Sequence, residues 1–205
     1  MTSTKAVTPN IKMDRLVNFS DAVIAIAVTI LVLPLVDKAS ELHVDSFSSL
    51  INGAGQQFLV FSLSFVVICS FWLVHHQLLR SLQSFNQTIF WLNALWLFSI
   101  VVIPFPTELL GKVSNNISVV SVFYIVNLLI TVVAGILISL AINKSPDLQK
   151  PGSGKLSSAP GILAIGILCA VLIIIVLFPG IGLWALLLLF IIGPATNLFK
   201  KYTLK

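Results

Sequence analysis

The side chains able to do chemistry in this mostly apolar chain gather in two short clusters. The first reads Asp14-Arg15-Leu16-Val17-Asn18-Phe19-Ser20-Asp21 and opens an apolar run, AVIAIAVTILVLPL. A carboxylate at Asp21 would be costly facing lipid, so it should face water, a partner or another helix. Arg15 and Asn18 lie one helical turn apart, and Phe19 and Ala22 continue that stripe. The second cluster, Phe71-Trp72-Leu73-Val74-His75-His76, ends the next apolar run. Adjacent histidines on a helix point about 100° apart, so they do not form the i, i+4 pair of a helical zinc site. They read instead as interfacial hydrogen-bonding groups tying the second run to the polar start of the first. A plain Trp–His interface belt is the alternative.

Deeper in the first run, Ile26, Thr29 or Ile30, and Leu33 fall on one helical face, with Ala22 and Ala25 beside it. Small residues there allow close helix approach, so packing of Ala22, Ala25 and Thr29 against another helix of the same subunit is enough to explain the stripe. Asn93, Asn127 and the Ser62/Ser64 pair read as helix–helix hydrogen bonds. Cys69 and Cys169 each lie inside an apolar run and read as small hydrophobic side chains. Walker, dinucleotide, HExxH and GxSxG patterns are absent, as is a TVGYG-like filter loop or an arginine-rich helix. With so few candidate catalytic groups, an enzyme is disfavoured, and no cofactor or resident metal is expected.

Only 9% of the 205 residues are charged and 58% are hydrophobic, with a mean hydropathy of +1.06. A soluble domain carries about 25% charge, so lipid must solvate most of this surface. The basic pI, near 9.4, arises from residues in the connections between apolar runs, which is a membrane-orientation pattern and not a nucleic-acid groove.

Runs of roughly 20 apolar residues cross a bilayer. Six such spans are expected, at 16–36, 52–74, 88–105, 117–142, 161–178 and 181–199, within one transmembrane unit over 1–205. Pro34 should end the first span, and Pro104 and Pro106 the third, with Trp91 and Trp96 as interface anchors. The stretch 52–57 can extend the second helix beyond the lipid. Residues 143–158, with Pro146, Pro151, Gly152 and Gly154, read as a flexible connection. One helix over 161–199 would measure about 57 Å, so the break belongs at Phe178-Pro179-Gly180-Ile181-Gly182.

With six spans, Lys5, Lys12, Arg15, Arg80, Lys144, Lys150, Lys155, Lys200, Lys201 and Lys205 share one side, while Lys38 and Lys112 lie opposite. The positive-inside rule then puts both termini in the cytoplasm and makes the N-terminal stretch a retained segment, not a signal peptide. The protein is expected to be a multi-pass cell-membrane protein. The outer connections are slightly acidic (Asp37, Glu41, Asp45, Glu108), which could concentrate cations or merely mirror the inside bias.

Arg15-Leu-Val-Asn-Phe19-Ser20-Asp21, an RxxxFSD sequence at the start of the first span, resembles the signature of the transmembrane protein 175 family of potassium-permeable channels. The Phe71-Trp72 and His75-His76 element is similar as well. The resemblance is to the short prokaryotic members. It implies an all-α membrane fold of six helices per subunit, assembled as a homotetramer around a central pore lined by the first helix. It also implies a constriction at Ile26, Thr29 and Leu33, passing potassium ions, the only metal expected, transiently. Arg15, Phe19, Ser20, Asp21, Trp72, His75 and His76 then form a structural brace of the pore helix. The function so implied is a potassium-permeable cation leak channel without a carbonyl selectivity filter. The alternative is a proton-coupled secondary transporter using Asp21 and His75 or His76. It is weakened by the lack of an internal repeat or of a Gly/Pro-broken helix at mid-membrane. Expected partners are potassium ions, the lipid bilayer and further copies of the chain, with no nucleic acid.

Overall fold

The computed structural model describes residues 11–41, 47–112 and 117–178, all helical apart from short connections. The elements are α1 (Ile11–Ile30), α2 (Leu33–Glu41), α3 (Phe47–Arg80), α4 (Gln87–Val102), α5 (Pro104–Lys112), α6 (Ile117–Lys144), a 3₁₀ turn (Pro146–Leu148) and α7 (Ala159–Leu177). Among the described residues, five helical segments are long and apolar enough to cross a membrane: Met13–Ser40, Ile51–Arg80, Gln87–Lys112, Val119–Lys144 and Ala159–Leu177. The expected sixth span, 181–199, and the break at 178–182 lie outside the described residues beyond Phe178.

The first and third segments run past the prolines expected to end them. Pro34 has no N–H for the Ile30 carbonyl, and its ring would press on that oxygen, so α1 stops at Ile30. The chain tightens through Val32 N donating to Thr29 O (3.3 Å), and α2 starts at Leu33 with Pro34 in its first turn. Pro104 does the same to α4. Ile103 N donates to Ile100 O (3.1 Å), and α5 begins at Pro104 itself, the first helical position, where a missing N–H costs nothing. Both segments are therefore helices interrupted at a proline, each continued by a helix of nine residues. The break in the first puts Leu33 beyond the regular helix carrying Ile26 and Thr29.

α4 and α7 pack on either side of α6, while α1 lies against α3 and α4. α2 and α5 cover the start of α3, where Gln56 Nε2 donates to Leu110 O (2.7 Å). Gly111 passes so close to Gln57 that a Cβ there would meet its side chain at 3.1 Å. The core is aliphatic, with Leu63, Ile68, Ile100, Ile125, Leu128 and Ile138 fully buried. α4 starts where Asn86 Oδ1 accepts from Ile89 N (2.9 Å), a side-chain N-cap.

The connection 145–158 is not a loose linker. Leu82 and Gln149 form an antiparallel bridge between it and the α3–α4 turn. Gln83 N donates to Leu148 O and Lys150 N to Ser81 O, each at 2.9 Å. Asn143 clamps the far end, its Nδ2 donating to Leu156 O (2.8 Å) and its Oδ1 accepting from Leu156 N (2.9 Å). The prolines and glycines shape this connection, and the hydrogen bonds hold it in place.

Candidate functional site

One face of α1 carries the bonded half of the RxxxFSD sequence. Ser20 is fully buried, and its hydroxyl donates to Leu16 O (2.9 Å). Its oxygen in turn accepts from Asn93 Nδ2 of α4 (3.1 Å). Asn93 Oδ1 lies 2.7 Å from His75 Nε2 of α3. A carbonyl oxygen can only accept, so Nε2 carries the proton and the relay runs in one direction: His75 to Asn93, to Ser20, to the backbone of α1. The His75 ring, 1% exposed, stacks on Trp96 with centroids 3.8 Å apart and planes 9° apart.

Asp21, the next residue, turns to a different partner. Its Oδ1 accepts from Trp72 Nε1 (2.8 Å), and His76 Nδ1 lies 3.8 Å away, beyond hydrogen-bond reach. Trp72 and His76 contact each other with ring centroids 5.4 Å apart. The two adjacent histidines point apart as helical geometry requires, His75 to Asn93 and His76 to the side of Trp72 and Asp21. Five of the seven brace candidates are brought together in this way: Ser20, Asp21, Trp72, His75 and His76. Arg15 and Phe19 stay exposed on the chain.

Two members of this network were not recognised as such in the sequence. Asn93, expected as a helix–helix hydrogen bond, joins both other helices at once. Trp96, expected as an interface anchor, is buried against His75, whereas Trp91 is 62% exposed. Their spacing of one turn on α4 was the available signal. The remaining polar residues do link helices: Ser64 Oγ lies 2.8 Å from Thr107 Oγ1 and 3.1 Å from Tyr124 OH, and Asn127 Nδ2 donates to Ser99 O (2.9 Å). Ser62 only returns to Phe58 O of its own helix.

The other face of α1 is exposed among the described residues. Ala22, Ala25, Ile26, Thr29 and Ile30 are exposed, Ile26 at 59% and Leu33 at 53%. Thr29 Oγ1 donates to Ile26 O (2.8 Å), so its lone pairs and not its proton face outward. Of the cysteines, Cys69 is half-buried and Cys169 exposed on α7, and both are free thiols.

Residues 15–104 match the model of the family described as endosomal/lysosomal potassium channel TMEM175. A potassium channel of Chryseobacterium sp. is 37% identical over 98 residues, 47% of this chain and 48% of that protein. A potassium channel of Streptomyces collinus is 33% identical over 102 residues, 48% of this chain and 47% of the other. The match thus spans about half the length of these curated relatives. The fold resembles the crystal structure of a lysosomal potassium-selective channel TMEM175 homologue from Chamaesiphon minutus, with a TM-score of 0.72, 20% identity, and coverage of 90% of this chain and 98% of that one. The resemblance read from the motif is borne out, and the matched segment contains both motif clusters and Asn93.

Proposed function

From a chain whose residues 15–104 carry the TMEM175 family sequence, we propose a potassium-permeable cation leak channel. Four copies surround an axis lined by α1, each subunit contributes six spans, and the chain lies in the cell membrane with both termini cytoplasmic. The observation that carries this reading is the two-sided character of α1. One face is hydrogen-bonded to α3 and α4 through Ser20 and Asp21, and the opposite face leaves Ile26 and Thr29, with Leu33 at the start of α2, exposed among the described residues.

In this reading Ile26 and Leu33 narrow and dry the passage, a hydrophobic constriction that gates by dewetting. Thr29, its proton committed to Ile26 O, offers an oxygen that replaces part of a potassium ion's hydration shell. Selectivity from hydroxyl and aliphatic layers is modest compared with that of a carbonyl filter. The brace fixes the rotation of α1, because a shift of one residue, about 100°, would carry Ile26 off the axis. The transporter alternative, which uses Asp21 with His75 or His76, finds less support because Asp21 and His75 are both tied into the helix contacts, Oδ1 by Trp72 and Nε2 by Asn93.

Ion flux in proteoliposomes tests the reading. Potassium should leak down its own gradient without proton coupling, and Ile26→Asn should wet the constriction and raise or de-select that leak. Saturating uptake driven by a proton gradient, or unchanged flux in Ile26→Asn, would remove the channel or the pore assignment respectively.

A further inference from the structure

The hydrogen bonds between the α3–α4 turn and the 145–158 connection also organise charge. Arg80 is the last residue of α3 and Lys144 the last of α6. The Lys150 N to Ser81 O bond sets Lys150 beside the residue that follows Arg80. The Asn143–Leu156 pair of bonds sets Lys155 beside the residue that precedes Lys144. All four cationic side chains are exposed. Within 80–86 and 144–158 the only acid is Asp147, also exposed. Three separate segments are thus pinned into one cationic shelf at one end of the bundle.

The shelf sits where spans begin and end, the depth of lipid phosphates. Below it, exposed apolar side chains continue along the first turns of the entering helices: Phe90 (40%) and Trp91 (62%) on α4, and Ile162 (64%) on α7. Cations at the membrane boundary with bare aliphatic and aromatic surface beneath them match both parts of an anionic phospholipid, headgroup and acyl chain. A soluble polyanion would use only the first.

We propose that this shelf binds the phosphate headgroups of anionic phospholipids in the adjoining leaflet. A topology signal needs only the number of cations on a side, wherever they lie. A lipid site needs them held together, and here the backbone bridges and the Asn143 clamp hold them. Each basic residue close to an anionic surface strengthens association about fivefold.

The test uses the full chain, purified and exchanged into nanodiscs of equal parts phosphatidylcholine and phosphatidylglycerol, with retained lipids counted by native mass spectrometry. The unmodified protein should keep phosphatidylglycerol in excess. Lys144→Gln/Lys150→Gln/Lys155→Gln should lower that excess by roughly tenfold or more. Lys150→Arg/Lys155→Arg, which preserves charge, should retain it. Lys38→Gln/Lys112→Gln removes basic residues of α2 and α5, outside the shelf, and should leave it unchanged. The proposal is overturned if the triple variant keeps its phosphatidylglycerol, if the Lys38/Lys112 variant loses as much, or if inorganic phosphate alone displaces the lipid. Should the triple variant fail to insert, Lys150→Gln/Lys155→Gln decides in its place, with a smaller loss expected and the same overturning outcomes.

Discussion

The two faces of α1 use their polar atoms in opposite ways. On the inner face Ser20 and Asp21 each have a partner on another helix: Ser20 in Asn93, Asp21 in Trp72. On the outer face the single hydroxyl, Thr29, bonds only its own helix, and the side chains around it are small or aliphatic. In lipid, where apolar burial gives helices little reason to associate, hydrogen bonds and close packing set orientation. The inner face is where the helix is hydrogen-bonded to its neighbours. The outer face is the surface turned away from those neighbours.

This contrast can be broken first at Asn93. Asn93→Leu keeps the volume but strands the His75 Nε2–H and removes the Ser20 partner. It should cost about 2–3 kcal/mol in unfolding measured in detergent and reduce ion flux. Trp72→Phe keeps the aromatic body and removes the N–H given to a carboxylate, for an expected loss of about 1–2 kcal/mol by the same measurement. Tyr124→Phe, away from α1, deletes one hydroxyl from the Ser64 cluster. It should cost about 0.5–1 kcal/mol and leave ion flux unaltered, which separates general packing from the brace. Thr29→Val on the exposed face should change unfolding by less than about 0.5 kcal/mol while altering the potassium-to-sodium flux ratio. If Thr29→Val destabilises the chain as much as Asn93→Leu does, the two faces do not differ in the way described.

A good part of this was legible in the sequence. Periodicity and charge marked the apolar runs, and the spacing of Ser20-Asp21 with Trp72, His75 and His76 marked the residues that tie α1 in place. The prolines misled, because Pro34 and Pro104 read as terminators while each in fact starts a second helix after one tight turn. A proline ends the helix before it but suits the first turn of the helix after it, and only the path of the backbone tells which role prevails. The 143–158 connection misled for a related reason. Its composition is that of a loop, but Asn143, Gln149 and the bridge to Leu82 satisfy its backbone through residues remote in sequence.

The sequence by itself determined that this chain lives in lipid, where its apolar runs lie, and that a carboxylate in the first of them needed a partner, since solvation costs depend on residue type alone. The tertiary structure decided which partner each polar atom took. It assigned Asp21 to Trp72 and Ser20 to Asn93, buried Trp96 against His75, and left Ile26 and Leu33 exposed among the described residues. Those outcomes depend on how three helices are rotated against one another, and helical spacing fixes angles within a helix but never between helices.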